Sequence, residues 1–424
     1  MKNTLSDLLG RLSAAVIIAS AVGGCAFSDL EDDLARYEEV DTQFSGSVTL
    51  EGVESDAIIV AALFDNDGQD LYSFRALAGA GDFSFKGAQK PLYFFAFDDR
   101  NKDLRFQPDE PYGRNRPPGP VTPTSDRAEN IAITIKQRPT AQSDFPTGLV
   151  DYPLSTRLGE QGVYFNVGTI TDLDSSLFSA EQAKKGLWQP YAFMVDGGAG
   201  IHFLEEYDPK RIPVLFVHGI DGSPQNFRPI IESLDRSKYQ VWVYSYPSGL
   251  RLADIANGLY EFFRILDSVY NVEQLHLIAH SMGGLVSRQA INLCAATTQC
   301  EDLKSFITIS TPWAGVASAK SGVEWSPEVI PVWRDMDPDS DYLKTLFGKP
   351  LPTKLDHYLI FGFKQDSIFG SGSSDGVVAL TSQLRLEAQE EAAMMRGFDE
   401  GHVSILSNSM VIESISSILD AHSK

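Results

Sequence analysis

The sequence is poor in cysteine and in positive charge. Three of its 424 residues are cysteine, and 35 lysines and arginines are outnumbered by 57 aspartates and glutamates, so that the net charge is −22 at pH 7. Phosphate backbones and anionic lipid headgroups repel so acidic a surface. Nucleic acid is therefore excluded as a partner, and attachment to a membrane must come from something other than a basic patch.

The first 25 residues, MKNTLSDLLGRLSAAVIIASAVGGC, have the layout of a signal peptide, with basic residues near the start and an uncharged apolar run over residues 12–22. That run is too short to span a membrane comfortably. The small residues before Cys25 resemble the lipobox of bacterial lipoproteins, in which the cysteine becomes the acylated N-terminal residue. The sequence predicts an exported lipoprotein of the cell envelope, anchored at the outer membrane through Cys25. An ordinary signal peptide with a chance cysteine, or an uncleaved anchor, is the alternative.

The other two cysteines, Cys294 and Cys300, lie close together in the sequence. In a chain that has left the reducing cytoplasm, this spacing favours a local disulfide. Two unrelated buried thiols are the alternative, because free cysteine packs as a small apolar residue.

Composition and periodicity divide the rest of the chain. Residues 26–43 are acidic and polar and predict a solvated tether. Short segments rich in β-branched and aromatic residues alternate with turn residues over 44–137, which predicts a small all-β sandwich domain. From 138 to 424, strand-like and helix-like patterns alternate, which indicates βαβ units and a mostly parallel sheet with helices on both faces. In such folds, sites lie beyond the carboxyl ends of the strands.

A serine follows one of these strands, in the segment Ala279-His280-Ser281-Met282-Gly283. A nucleophile elbow has the pattern G-x-S-x-G after a strand and before a helix, and the flanking positions must be small because the strand and helix backbones nearly touch. Alanine adds only one methyl group to the first position, and Gly283 keeps the second. Ser281 is therefore a candidate nucleophile, with a helix N-cap as the alternative.

Residues 162–424 resemble the lipase and esterase branch of the α/β-hydrolase superfamily, close in style to bacterial lipases and GPI inositol deacylases. The motifs that carry the resemblance are PVLFVHGIDGSPQNF, IAHSMGGLVSR and ITISTPWAG. An oxyanion needs preorganised N–H donors, and Met282 at the start of a helix offers one. The resemblance implies that Ile220 provides the second. It also implies that the His218 imidazole braces the oxyanion loop and is not the base.

The chain order in this fold is serine, acid, then histidine. His402, in a segment that resembles the loop before the last helix, is the preferred base, and His422 near the chain end is the runner-up. Asp375, in SSDGVVALTSQ, resembles the acid of the lipases. Asp366 and Asp399 are the other candidates for the acid.

An insertion over residues 318–355 interrupts the alternation and contains Trp325 and Trp333 among other apolar residues. Exposed, these residues would form a sizeable apolar patch. The insertion is either a lid that covers an acyl pocket or an ordinary packed flap.

A weaker motif lies in the N-terminal region. The first, third, fifth and twelfth positions of a calcium-loop template are occupied by Asp99, Asn101, Asp103 and Glu110. The sixth position is Leu104, where glycine is expected because the turn is sharp. The segment is either a calcium-binding loop or an acidic surface loop that binds no metal. No organic cofactor is implied.

Together these features predict a serine carboxylic-ester hydrolase that acts on an ester or lipid substrate. A catalytically inactive binding or scaffolding lipoprotein is one alternative. An acyltransferase or amidase that uses the same three residues is another, because acyl transfer to any acceptor needs the same groups.

Overall fold

A computed structural model describes residues 25–39, 42–69, 71–77, 79–87, 89–124, 127–137, 145–152, 154, 166–270, 272–294, 301–364 and 373–423. The signal-peptide residues before Cys25, the cysteine at 300 and Asp366 lie outside this part of the chain.

The first of the two sheets of the described chain is antiparallel except for one strand pair. It contains β1 (Thr42–Glu51), β2 (Ile58–Leu63), β3 (Leu71–Leu77), β4 (Gly81–Gly87), β5 (Tyr93–Asp98), β6 (Tyr112–Arg116) and β7 (Arg127–Lys136) in the order β3-β2-β5-β6-β7-β1-β4. The edge strands β3 and β4 follow each other in the chain, and Arg75 Nε donates to the Ser84 carbonyl at 3.0 Å. The sheet therefore curls until its edges meet around buried phenylalanines such as Phe44, Phe85 and Phe94.

The segment expected to be an acidic tether is instead a docked helix, α1 (Cys25–Glu39), followed almost directly by β1. Leu30 is fully buried and Leu34 and Tyr37 are partly buried, one helical turn apart, so the helix has an apolar stripe. Asp33 is 5% exposed because its carboxylate accepts hydrogen bonds from the backbone N–H groups of Tyr191 and Ala192. The prediction of a solvated segment was wrong because these partners lie far along the sequence.

The second sheet follows a different plan. Its described strands are β8 (Asn166–Ile170), β9 (Gly200–Phe203), β10 (Ile212–Val217), β11 (Tyr239–Ser245), β12 (Leu275–His280), β13 (Leu303–Ile309), β14 (Asp356–Phe363) and β15 (Ala392–Asp399). The order is β15-β14-β13-β12-β10-β11-β9-β8. From β11 to β15 all neighbours are parallel, whereas β9 pairs antiparallel with β11. The carboxyl ends of these parallel strands share one edge.

Helices cover both faces of this sheet. They are α2 (Ala180–Trp188), α3 (Pro190–Val195), α4 (Arg228–Ser233), α5 (Leu252–Tyr270), α6 (Met282–Cys294), α7 (Ala317–Trp325), α8 (Pro331–Met336), α9 (Asp341–Thr345), α10 (Leu380–Gln383), α11 (Leu386–Glu391) and α12 (Ser409–His422). The apolar residues of α4 and α12 form one core with one set of alternating strand positions, and those of α5 and α6 share the other core. This is the predicted α/β-hydrolase fold preceded by an all-β region, although the described strands of that region form one sheet and not the two packed sheets of the expected sandwich.

The insertion at 318–355 holds most of α7 and all of α8 and α9. Ile330, Val332, Leu343 and Leu346 in it are buried in the core that α5 and α6 share. Its two tryptophans differ, since Trp333 is partly buried within that packing whereas Trp325 is 79% exposed.

Two further features concern the predicted anchor and disulfide. Cys294, buried at the end of α6, is disulfide-bonded. None of the helices in the described part of the chain combines the length and the apolar character needed to span a membrane.

Candidate active site

Ser281 lies in a sharp turn between β12 and α6, at the carboxyl edge of the parallel strands. Its φ is +54°, a left-handed conformation that costs energy in any residue other than glycine. The turn is held because the Ser281 N–H donates to the Ile309 carbonyl of the neighbouring strand at 2.8 Å. The backbone thus holds the hydroxyl at the sheet edge.

Close approach of backbones explains the glycines around the serine. A Cβ atom on Gly283 would collide with the carbonyl oxygens of Val217 and His218, so no other residue fits there. A Cβ on Gly219 would lie 2.8 Å from the Ser281 Cβ. The loop after β10 therefore lies directly against the serine.

The structure brings three of the expected site residues together. The imidazole of His402 lies between the other two, with Nε2 2.8 Å from Ser281 Oγ and Nδ1 2.7 Å from Asp375 Oδ2. Because a carboxylate only accepts, Nδ1 carries the proton, and Nε2 is free to accept the hydroxyl proton. The side chain of His402 is 10% exposed and that of Asp375 is fully buried.

The loop after β14 gives Asp375 its environment. Its Oδ1 accepts hydrogen bonds from the N–H groups of Val377 at 3.0 Å and Val378 at 2.7 Å. Burial alone raises the pKa of this carboxyl, but the hydrogen bond and charge of His402 and the two N–H groups outweigh it, so the pKa lies below its usual value. Asp375 is therefore ionised and holds the imidazole in one tautomer.

The expected oxyanion donors flank the serine. Met282 is the first residue of α6, where a backbone N–H has no carbonyl partner within the helix and the helix dipole is positive. Ile220 follows Gly219 in the loop that contacts Ser281. Both N–H groups thus belong to backbone segments beside the hydroxyl.

His218 has a structural position in the same loop. Its Nδ1 lies 2.8 Å from the Gly219 carbonyl oxygen, and its Nε2 accepts a hydrogen bond from the Tyr246 N–H. The rings of His218 and Tyr246 stack with their centroids 4.1 Å apart. Burial lowers its pKa to about 4, so the ring stays neutral. This is the bracing position that the family resemblance implies.

His280 is a part of the site whose position sequence reasoning did not find. Its Nε2–H donates to the backbone carbonyl of His402 at 2.8 Å, and the two rings lie 4.8 Å apart. Burial and the neighbouring His402 lower its pKa to about 3, so it stays a neutral donor. The only signal in the sequence was its place inside the elbow motif.

Gln383 of α10 was also missed. Its side chain accepts from the Gly362 N–H at the end of β14 and donates to the carbonyls of Gly362 and Val378. It thereby ties the loop that carries Asp375 to its strand. The sequence has no motif that marks this residue.

The other acid and base candidates lie elsewhere or are not described. His422, at the end of α12, has its Nε2 2.8 Å from the Tyr358 hydroxyl and 3.6 Å from Asp356. Asp399 ends β15. Asp366 lies outside the described residues.

The calcium-loop residues are close together in the all-β region, but their oxygens have protein partners. Asp99 accepts from the N–H groups of Asp103 and Leu104, and Glu110 accepts from those of Arg100 and Gln107.

The side chains of Asn101 and Asp103 are hydrogen-bonded to each other at 2.9 Å. Leu104 makes the sharp turn with a φ of +55°, although the calcium-loop template favours glycine at this position. In the described part of the chain, no cluster of three or more His, Cys, Asp or Glu residues is arranged to hold a metal ion.

Comparison with known proteins adds one match in sequence. Residues 208–337 match the model of a family described as "Putative serine esterase (DUF676)". This segment is less than a third of the chain and contains Ile220 and Ser281 but not Asp375 or His402. None of the curated proteins compared with the chain is similar to it in sequence.

Several solved structures are distantly similar. The mature form of lipase BlEst2 from Bacillus licheniformis is 17% identical, with a TM-score of 0.41 over 51% of this chain and 94% of the lipase. The product of gene lin2722 from Listeria innocua is 17% identical, with a TM-score of 0.39 over 50% and 94%. Phospholipase PlaB from Legionella pneumophila is 22% identical, with a TM-score of 0.34 over 41% and 44%. At such TM-scores these likenesses carry no argument, and the function is inferred from the site.

Proposed function

We propose that the protein is a serine hydrolase that cleaves carboxylic esters through an acyl-enzyme intermediate, with Ser281 as nucleophile, His402 as base and Asp375 as the acid that orients the base. The observation that carries the proposal is the unbroken series of hydrogen bonds from Ser281 Oγ through His402 to Asp375, at a serine with a left-handed backbone. The match of residues 208–337 to a serine-esterase family supports the same reaction.

In the first half of the reaction, Ser281 Oγ forms a bond to the ester carbonyl carbon while His402 Nε2 takes the hydroxyl proton. The negative charge that develops on the carbonyl oxygen is held by the N–H groups of Met282 and Ile220. The bond from carbon to the alkoxy oxygen then breaks, and the imidazolium gives its proton to the leaving alcohol. The acyl group remains on Ser281.

In the second half, a water molecule attacks the acyl carbon while His402 Nε2 takes a proton from the water. The bond to Ser281 Oγ breaks, the imidazolium returns the proton to this oxygen, and the carboxylic acid leaves. Ionised Asp375 stabilises the imidazolium in both halves. The reaction needs no group beyond these side chains, two N–H donors and water.

A fluorophosphonate probe tests the nucleophile, because it reacts with activated serines. We expect the native protein to be labelled at Ser281 and to cleave esters of graded chain length, and Ser281→Ala to lose both properties. Ser417→Ala, a change at an exposed serine of α12, is the matched control and should keep both. Full labelling and turnover in Ser281→Ala would refute the assignment. A native protein that neither labels nor cleaves any ester would favour the binding-protein alternative.

We also propose that the protein is exported and anchored to the outer membrane by acylation of Cys25. The lipobox-like sequence before Cys25 supports this. The native protein should partition with membranes and its N-terminal peptide should have the mass of an acylated cysteine. Cys25→Ser should release the protein into the soluble fraction. An unmodified N-terminus downstream of Cys25 in soluble native protein would contradict the anchor.

A further inference from the structure

One surface of the molecule combines three partly buried aromatic side chains and the exposed Trp325 with the start of the described chain. We call Phe27, Trp188, Trp325 and Trp333 the tryptophan face. The Phe27 ring packs edge-on against Trp188 at 5.4 Å between centroids, and Trp188 packs edge-on against Trp333 at 6.4 Å. Residues from α1, α2 and α8 are therefore continuous at this face.

The helix α7 extends the face to the most exposed large apolar residue described. A Cβ atom on Gly322 would lie 2.5 Å from the Trp333 ring, so α7 crosses directly over that ring. Trp325 is three residues further along α7, on the same side of the helix. Its 79% exposure exceeds that of every other large apolar residue in the described part of the chain.

The predicted acylation site lies beside this face. Cys25 is the first residue of α1, and Phe27 follows it within about 3 Å along the helix axis. The docking of α1 through Leu30 and Asp33 fixes this position on the α/β region. The backbone of the proposed acylation site thus lies within one helical turn of Phe27.

We propose that the tryptophan face rests on the membrane and that Trp325 inserts into its interfacial layer. Tryptophan is favoured at this depth because its ring is apolar and its N–H is polar. A bilayer is the occupant that fits, because Cys25, the proposed acylation site, begins the helix that carries Phe27. Exposed charges of both signs flank the face, Asp29 and Glu324 as well as Lys184 and Arg334, and the whole chain has a net charge of −22, so zwitterionic lipid is the matching surface.

The inference uses the proposed anchor only to place the bilayer, and its test removes the anchor. The mature chain, which begins at residue 25, is prepared with Cys25→Ser, so it has neither an acyl group nor the apolar run of residues 12–22. Any binding to phosphatidylcholine vesicles then comes from the protein surface. We expect this protein to co-sediment with the vesicles, and added Trp325→Ser to lower its partition coefficient about tenfold, which corresponds to about 1.4 kcal/mol. Trp325→Phe should keep most of the binding.

The matched control is Met395→Ser, which changes another exposed apolar residue on β15, at the opposite end of the sheet from β8. It should leave the partition coefficient unchanged. An unchanged thermal midpoint shows that Trp325→Ser folds, since the side chain is exposed. Addition of phosphatidylglycerol at low salt should weaken binding, because the chain has a net charge of −22.

Three outcomes would overturn the proposal. They are no binding of the unacylated protein, equal binding with and without Trp325, and binding that phosphatidylglycerol strengthens at low salt. Failure of the anchor is distinguishable from these, because it shows as an unmodified cysteine in the native protein while the effect of Trp325→Ser persists.

Discussion

The loop after β14 and the calcium-like loop after β5 both bury a carboxylate, with opposite results. Asp375 and Asp99 each accept two backbone N–H groups, yet the pKa of Asp375 is lowered and that of Asp99 is raised to about 6. Glu110 also accepts two N–H groups, and its pKa is raised to about 7. Burial is the largest influence in all three.

The third partner makes the difference. Asp375 faces the imidazole of His402, whereas Asp99 and Glu110 face other carboxylates, including Asp103. Two backbone hydrogen bonds do not offset the desolvation of Asp99 or Glu110, whereas together with the directly hydrogen-bonded imidazole of His402 they do for Asp375. An ionised acid at this position is what the proposed reaction needs.

Removal of the His402 imidazole should have the largest effect on activity. His402→Ala should lower kcat by roughly 10⁴-fold or more, because no base remains to accept the Ser281 proton. Asp375→Ala should cost less, because the base is still present. Steady-state kinetics on a soluble ester measures both. His422→Ala is the matched control, and a loss in it as large as in His402→Ala would reverse the assignment of the base.

A subtler change tests how the imidazole is held. His280→Ala removes the donor to the His402 carbonyl and should lower kcat by about tenfold to 10²-fold through misplacement of the base, with little change in KM. His280→Asn, whose amide can still donate, should recover much of the loss. Equal losses in the two variants would mean that the ring fills space and does not position His402.

The pH dependence of stability tests the raised pKa of Glu110 in the loop after β5. Between about pH 4.5 and 7, folded Glu110 holds more protons than unfolded Glu110, so the free energy of unfolding should fall as the pH rises through this window. Asp375 acts in the opposite sense, since its stabilisation is lost as the pH falls. Urea midpoints across this window should show a shallower slope for Glu110→Gln than for the native chain.

A bound calcium ion would neutralise the carboxylates that face one another in the loop after β5. If Asp99, Asn101, Asp103 and Glu110 bind it, added Ca²⁺ should raise the urea midpoint of the native chain near pH 7 and should have little effect on Glu110→Gln. An equal rise in both proteins would place the effect elsewhere.

The smallest expected effect concerns Asp33, another buried carboxylate with two backbone N–H partners and a raised pKa. Asp33→Ala leaves the first turn of α3 without its acceptor and should cost about 1 kcal/mol. Asp33→Asn keeps an acceptor and should cost less. Urea unfolding measures both, and no difference from the native chain would show that the contact contributes nothing.

Much of the fold and of the site's composition is visible in the sequence. Strand and helix patterns alternate through the α/β region except in the insertion at 318–355, and the elbow motif places Ser281 at the carboxyl end of a strand. Asp375 and His402 follow in the order that the fold requires, each in a loop after a strand. These features are local or depend on chain order, which is why sequence reasoning finds them.

The features that sequence reasoning missed depend on partners far along the chain. Asp33 contacts N–H groups more than 150 residues away, and an isolated acidic segment gives no sign of that partner. His280 donates to a carbonyl 122 residues later. The turn at Leu104 is held by the Asp99 carboxylate, which overrides the local preference for glycine. In each case tertiary contacts decide what local propensity does not.

If Cys25 is acylated as proposed, the docking of α1 also decides how far the site can move from the membrane. As free chain, the sixteen residues between Cys25 and β1 would extend to about 55 Å and would let the site move that far from the membrane. A helix fixed to the α/β region removes that freedom and acts as a rigid bracket. Under the proposed anchor and reaction, the protein would then move with its lipid and meet substrates in the same membrane at one height and in one orientation.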